Sequence, residues 1–123
     1  MKFLIDTHIF LWALGSPGRL APQRRHAIES RTNEVFLSAV SIAELMIKHS
    51  LGKLVIEFDP LAMAERTGIR VLPLAGAEAV LLGRLPFHHR DPFDRMIIVQ
   101  AIANGWPVMT DDLQFRNYEC RTI

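Results

Sequence analysis

The sequence has few of the features that define secreted, membrane or zinc-binding proteins. It contains one cysteine, Cys120, so an internal disulfide and a cysteine-based zinc cluster are both excluded. Its longest apolar runs reach about eight residues, which is too short to cross a bilayer. The opening "MKFLIDTHIF" lacks the cationic and apolar regions of a signal peptide. We therefore expect a cytoplasmic protein in which Cys120 is a packed residue.

An excess of charge of one sign is also absent, since 14 basic and 13 acidic residues leave a formal net charge of +1. This balance neither demands nor excludes a nucleic-acid partner, so only local basic clusters are informative. Two such clusters are Arg24 with Arg25, and "HHR" from His88 to Arg90. With 50% hydrophobic residues the chain is not disordered, and 123 residues predict one domain, residues 1–123, with a real core.

Short apolar or β-branched runs alternate with helical stretches along the chain. The predicted strands are "KFLI" (2–5), "EVFLSAV" (34–40), "IRVLPL" (69–74) and "WPVMT" (106–110). Such alternation is typical of an α/β fold in which a parallel sheet is covered by helices. The sequence therefore predicts that class.

Several helix ends are marked by residues that cap helices. Asp59 and Asp91 each precede a proline, which is the usual arrangement at a helix start. Gly52, Gly68 and Gly105 follow the helical stretches "SIAELMIKHSL", "PLAMAERT" and "PFDRMIIVQAIAN". Glycine after such a stretch predicts that the helix ends there.

Acids that lie far apart in the sequence are expected at one edge of the sheet. Asp6 follows the first strand, and Glu44 lies early in the helix after "EVFLSAV". Asp94 begins a helix that leads back to the last strand, which is followed by Asp111 and Asp112. In right-handed strand–helix–strand units these positions meet at the carboxyl edge, where open α/β sheets bind ligands.

Each acid also has an explanation as a helix cap. Glu44 completes an S-x-x-E capping box with Ser41, which predicts a helix that begins at Ser41. Asp91 is a good N-cap, and Asp94 suits the positive end of the helix dipole. The remaining acids, Asp6, Asp111 and Asp112, could cap short helices in the same way. Taken one at a time, capping is the better explanation for each.

The acids as a group favour a metal site. Two carboxylates about 4 Å apart repel by roughly 4 kcal/mol at an effective dielectric of 20, so four near one point need protons or cations. Oxygen donors without cysteine favour Mg²⁺ or Mn²⁺ over Zn²⁺, and we expect Asp6 to be a ligand. Thr7 and Thr110 flank the acids and could orient a water or cap helices, of which capping is favoured.

At these residues the chain resembles the PIN-domain ribonucleases, specifically the VapC toxins of bacterial type II toxin–antitoxin pairs. The resemblance rests on "FLIDTHIFLWAL", "SAVSIAEL", "LPFHHRDPFDRMIIVQA" and "VMTDDLQF". It implies a three-layer α/β/α sandwich with a mostly parallel sheet of four to five strands. It also implies an acidic quartet that holds one or two Mg²⁺ or Mn²⁺ ions and cleaves RNA, formed by Asp6, Glu44, Asp94 and Asp112.

The resemblance leaves one ligand open, because Asp111 stands where the family often has a basic or polar residue and Gln114 where a further acid is common. The fourth ligand is therefore Asp112 or Asp111.

The resemblance also implies a homodimer and a cognate VapB-like antitoxin as inhibitor. Two helices carry more large apolar residues than one buried stripe needs, so we expect the antitoxin or a second subunit to cover part of them. These residues are Phe10, Trp12, Leu45, Met46 and Leu51.

Other functions remain as alternatives. "FLIDTH" also resembles phosphatases of the haloacid dehalogenase type, with Asp6 as nucleophile, but those need an acid where this chain has His8. A receiver domain would have its paired acids after the first strand, and no glycine-rich phosphate loop is present. A non-catalytic α/β interaction module whose acids are only caps is the alternative outside enzymes. The sequence does not identify which RNA would be cut.

Overall fold

A computed structural model describes all 123 residues, Met1 to Ile123. Its strands are β1 (Lys2–Ile5), β2 (Glu34–Ser38), β3 (Arg70–Leu72) and β4 (Val108–Met109). Its helices are α1 (Thr7–Gly15), α2 (Pro22–Glu29), α3 (Ala39–Ser50), α4 (Pro60–Arg66), α5 (Gly76–Val80) and α6 (Pro92–Asn104). Short 3₁₀ turns occupy Pro17–Arg19, Leu81–Gly83 and Leu113–Asn117. None of the helices has the length and hydrophobicity that a membrane span requires.

The four strands form one parallel sheet in the order β3-β2-β1-β4. Leu4 in β1 lies opposite Phe36 on one side and Val108 on the other. At the outer edge, Thr122 near the end of the chain forms a further parallel bridge to Val108. The α/β class and the parallel sheet predicted from the sequence are confirmed.

The order in which the chain adds strands to the sheet reverses at β1. The chain builds outward from β1 to β2 and β3, then crosses back to place β4 on the other side of β1. The crevice at such a reversal, beyond the carboxyl ends of the strands, is the common ligand site of open α/β sheets. Asp6 directly follows β1, and Thr110 directly follows β4, so both stand at this crevice.

Hydrophobic cores on the two faces of the sheet give the fold its three layers. Side chains alternate between faces along a strand. Phe3 and Ile5 therefore pack into one core with α1, and Leu4 into a second core with α6. Phe3, Leu4 and Ile5 are fully buried, as expected for a central strand covered on both faces. Cys120 packs at the edge of the second core, where burial raises the pKa of its thiol to about 11.

Most helix ends follow the sequence signals, and one does not. Asp59 and Asp91 cap α4 and α6, and Gly105 ends α6 in the left-handed conformation with φ +69°. The start predicted for α3 at Ser41 is wrong, because α3 begins at Ala39 and β2 ends at Ser38. The Ser38 hydroxyl caps α3 by accepting from the Val40 N–H at 3.0 Å.

A buried glutamine fixes α6 against the sheet. The Ser38 hydroxyl donates to Gln100 Oε1 at 2.5 Å, and Gln100 Nε2 donates to the Pro73 carbonyl at 3.1 Å. Ser38 ends β2 and Pro73 follows β3, so Gln100 ties α6 to the carboxyl ends of both strands. This attachment holds the first turn of α6, which carries Asp94, at the same edge of the sheet.

Candidate active site at the carboxyl edge of the sheet

Asp6 is buried at the centre of this edge. Its Oδ1 caps α1 by accepting from the Ile9 N–H at 2.8 Å, and its Oδ2 accepts from the Thr110 hydroxyl at 2.5 Å. Burial raises the pKa of Asp6 above its usual value, although both hydrogen bonds act in the opposite direction. Asp6 is therefore both a cap and a buried carboxyl at the crevice. Thr110 is the side-chain hydrogen-bond donor to this carboxyl.

Glu44 is buried beside α1 and does not close a capping box. Its Oε1 accepts from the Thr7 hydroxyl at 2.8 Å, and its Oε2 accepts from Lys48 Nζ at 2.6 Å. The Thr7 hydroxyl also lies 3.0 Å from the Ser41 hydroxyl. Ser41 cannot be an N-cap, because it lies inside α3. The hydrogen bond to Glu44 raises the pKa of Lys48.

Asp94 is an acid whose pKa is raised by its surroundings. It lies half-buried in the first turn of α6, after its N-cap Asp91. The pKa of Asp94 is raised to about 7, first by burial and then by the negative charges of Asp91, Glu44, Asp112 and Asp6. The structure thus brings the other three acids named from the sequence close enough to Asp94 to raise its pKa.

Asp112 and Asp111 face different partners. Asp112 caps the last 3₁₀ turn through the Gln114 N–H at 2.9 Å, and its own N–H donates to the Thr110 hydroxyl at 2.9 Å. Asp111 is exposed and pairs with Arg24 of α2. Arg24 also donates to the carbonyl of Thr110 at 3.0 Å. The ion pair with Arg24 occupies Asp111, and no cation pairs with Asp112 in this way.

The residues fit a divalent cation in donor chemistry and in charge. Carboxylate oxygens are the ligands that Mg²⁺ and Mn²⁺ prefer. As placed, no three Asp, Glu, His or Cys side chains lie close enough together to form a metal-binding group. The acids act on one another over a longer range, through the charges that raise the pKa of Asp94. A cation would offset this repulsion.

A cavity with basic residues adjoins the acids. It lies beside Glu44 and has a volume of about 320 Å³. Lys48, Lys53 and His8 line this cavity together with leucines of α1, of α3 and of the loop after α3. The sequence analysis did not select these lysines, because isolated lysines on a helix or loop carry no local signal of a site.

The apolar residues expected at a partner surface divide into two groups. Phe10 and Leu45 are buried in the core of this chain, so they are not part of such a surface. Met46 and Leu51 remain exposed on α3 and just after it, and Trp12 is partly buried.

Fold and site together define an α/β protein with buried acids at a sheet crevice. The chain belongs to the PIN domain family, whose family model matches residues 3–119. It is similar to Ribonuclease VapC22 of Mycobacterium tuberculosis, with 27% identity over 118 residues that cover 94% of this chain and 90% of that protein.

Solved structures show the same fold. VapBC2 from Rickettsia felis, bound to a DNA fragment from its promoter, matches with a TM-score of 0.75 at 14% identity, covering 100% of this chain and 98% of that one. DNA-bound VapBC from Salmonella typhimurium matches with a TM-score of 0.70 at 20% identity, covering 100% and 97%. These matches confirm the three-layer fold that the resemblance implied.

We predict that Asp94→Asn stabilises the protein above neutral pH. The folded chain holds the Asp94 proton up to about pH 7 and the unfolded chain only to about pH 4, so the free energy of unfolding falls as pH rises through this window. Asparagine removes the charge, and at pH 8 we expect a gain of roughly 1–2 kcal/mol after allowance for solvent screening.

Urea unfolding in EDTA at pH 5 and pH 8 measures this effect. Asp59→Asn is the control, because Asp59 caps α4 and Asn is also a good N-cap. An Asp94→Asn variant whose gain over the wild type were equal at both pH values would contradict the electrostatic description of the site.

Proposed function

We propose that this protein is a metal-dependent endoribonuclease and the toxin of a toxin–antitoxin pair. In this proposal Asp6, Glu44, Asp94 and Asp112 hold Mg²⁺ or Mn²⁺ and form the catalytic site. The observation that carries it is the raised pKa of Asp94, which is caused first by burial at the crevice and then by the charges of several nearby carboxylates. The similarity to Ribonuclease VapC22 supports the reaction, and the family match supports a nuclease.

The hydrogen bonds of the site would hold the acids in place for this role. Thr110 fixes Oδ2 of Asp6, and Thr7 fixes Oε1 of Glu44. When bound, the cation supplies a Lewis acid that lowers the pKa of water and offsets charge on a phosphate. Lys48 balances part of the negative charge through Glu44. Such preorganised side chains need little rearrangement when substrate binds.

The RNA backbone would approach along the cavity beside Glu44. Lys48 and Lys53 line it and supply positive charge for phosphates. Arg24 is less available, because it is bonded to Asp111 and to backbone carbonyls. Single-stranded or looped RNA suits the site best, since its backbone can bend toward the acids.

We further propose a cytoplasmic homodimer that a VapB-like antitoxin inhibits. Arginine pairs with carboxylates in a bidentate fork, so an inhibitor could insert a cationic side chain into the crevice. Solved relatives described as VapBC complexes support such a partner. The exposed apolar residues Met46, Ile47 and Leu51 at the end of α3 offer a surface for a subunit or an antitoxin.

A non-catalytic interaction module is the second candidate. It is favoured by the caps that Asp6, Asp91 and Asp112 do form. Capping does not require burial, however, and Asp6 and Glu44 are buried. Both also contribute to the raised pKa of Asp94. The cost of that burial is better explained by a catalytic site.

We predict that the purified protein cuts RNA with Mg²⁺ or Mn²⁺ and stops in excess EDTA. Asp6→Asn, Glu44→Gln and Asp94→Asn should each reduce the rate by at least about 100-fold, because each removes a charge that would hold the cation. Asp59→Asn should keep the wild-type rate. Gel analysis of a labelled RNA measures cleavage. Equal cutting in EDTA would contradict the proposal.

We predict that Asp112→Asn reduces the cleavage rate more than Asp111→Asn. Asp111 forms an exposed ion pair with Arg24, and such pairs contribute little to stability. We therefore expect the loss of this pair to have a small effect on the rate. Asp112 acts electrostatically on Asp94 and would contribute to the cation site. Rates measured side by side on one RNA decide the matter. A larger loss for Asp111→Asn would move the fourth ligand to that residue.

We predict that expression of the protein alone arrests growth and that co-expression with its antitoxin relieves the arrest. The arrest should depend on cleavage, so Asp94→Asn should be harmless at the same expression level.

Light scattering should give the mass of a dimer at micromolar concentration. Normal growth with the active wild-type chain would contradict the toxin role, and a monomer would contradict the dimer.

A further inference from the structure

The hydroxyl of Tyr118 is a meeting point for four nitrogen atoms. The backbone N–H groups of His88 and His89 donate to it at 3.2 and 3.1 Å, and Arg95 Nη1 donates at 3.2 Å. The fourth nitrogen, His89 Nδ1, lies 2.8 Å from the same oxygen. Tyr118 and Arg95 are buried, so these contacts are shielded from solvent.

A count of protons assigns the direction of the fourth contact. A phenol oxygen offers two lone pairs and one proton. Three N–H donors share these two lone pairs, and neither a backbone amide nor a guanidinium nitrogen can accept the phenol proton. The phenol proton therefore goes to His89 Nδ1, which accepts it. In the neutral ring the remaining proton must then sit on Nε2.

Nε2 of His89 lies near Asp94. It is buried and makes no hydrogen bond of standard geometry, while Asp94 Oδ2 lies 3.4 Å away. The His89 side chain is only 10% exposed, so water has little access to this atom. A buried donor without an acceptor is unfavourable, and the Asp94 carboxylate is the acceptor within reach.

The ring is held in this orientation from its other side. Arg95 donates to the carbonyls of Pro86 at 2.8 Å and Leu85 at 3.2 Å, as well as to Tyr118. The same guanidinium thus fixes the loop that carries His89 and the phenol that orients its ring. Arg95 also neighbours Asp94 in sequence, so the acid and its partner are built on one support.

We propose that His89 is a positioning residue whose Nε2–H donates to Asp94 Oδ2 and orients that carboxylate toward the cation. The inference rests on the proposed function, because Asp94 is a metal ligand there. His89 is not itself a ligand, since an Nε2 that carries a proton has no lone pair to give. Histidine–carboxylate contacts behind a metal ligand commonly set its orientation and affinity.

The tautomer of His89 tests the hydrogen-bond direction without metal or RNA. Two-bond proton–nitrogen spectra at pH 7.5 distinguish a ring protonated at Nε2 from one protonated at Nδ1. The chain has five histidines, and the signals lost in His89→Gln identify those of His89. We expect the proton on Nε2 in the wild type, and a redistribution toward Nδ1 in Tyr118→Phe. A wild-type ring protonated at Nδ1 would overturn the proposal.

A matched pair of variants tests the effect on Asp94. The amide of His89→Gln can place an N–H near the Nε2 position, whereas the shorter amide of His89→Asn reaches only the Nδ1 position. Both variants lose the ring, so a purely structural role predicts equal effects. We expect His89→Asn to weaken Mn²⁺ binding by about 10–100-fold and His89→Gln to stay closer to the wild type.

Mn²⁺ affinity is measured by electron paramagnetic resonance, with circular dichroism to verify the fold of both variants. Equal affinities for the two variants would overturn the positioning role. Failure of the wild type to bind Mn²⁺ would contradict the proposed function, whereas the ring tautomer, measured without metal, supports or overturns the donor assignment by itself.

Discussion

Repulsion among carboxylates at the crevice between β1 and β4 is the constraint on which the rest of the site depends. A cluster of buried acids is unfavourable unless each carboxylate has local partners. The Thr110 hydroxyl and the Ile9 N–H bond to Asp6, and Thr7 and Lys48 bond to Glu44. Asp94 has no comparable set of donors, and burial followed by the charges of the neighbouring acids raises its pKa to about 7. Asp94 is therefore the acid whose burial and repulsion are least offset by hydrogen bonds.

The sheet order explains why these acids meet at all. With β1 in the interior of a parallel sheet, the residue after β1 faces the residues after β4. The buried side chain of Gln100 then fixes α6 against the ends of β2 and β3. Four segments distant in sequence thus bring their acids to one edge.

Features that depend on residues close together in the sequence could be predicted from it. Alternating apolar runs gave the strands, and Asp91 and Gly105 marked the ends of α6 correctly. The start of α3 was misplaced because Ser38 and Ser41 both have the residue type of a cap, and only the end of β2 decides between them.

Contacts between distant residues left no signal in the sequence. Thr7 bonds to Glu44 across 37 positions, and Tyr118 meets His89 across 29. Placement of the acids at one edge followed from chain topology, but their individual partners depend on side-chain packing. Asp6 caps α1 and is at the same time buried at the crevice, whereas the sequence presented capping and a role in a site as alternatives.

The central claim is that the gathered acids bind a divalent cation, and a titration of Mn²⁺ into the wild-type protein at pH 7.5 tests it most directly. Bound Mn²⁺ loses its sharp resonance signal, so the free ion can be counted at each step. The account predicts saturable binding of one or two ions per chain that is strongly weakened in a variant combining Asp6→Asn with Glu44→Gln. A free-ion signal that follows the total Mn²⁺ added, with no uptake by the wild-type protein, would contradict it.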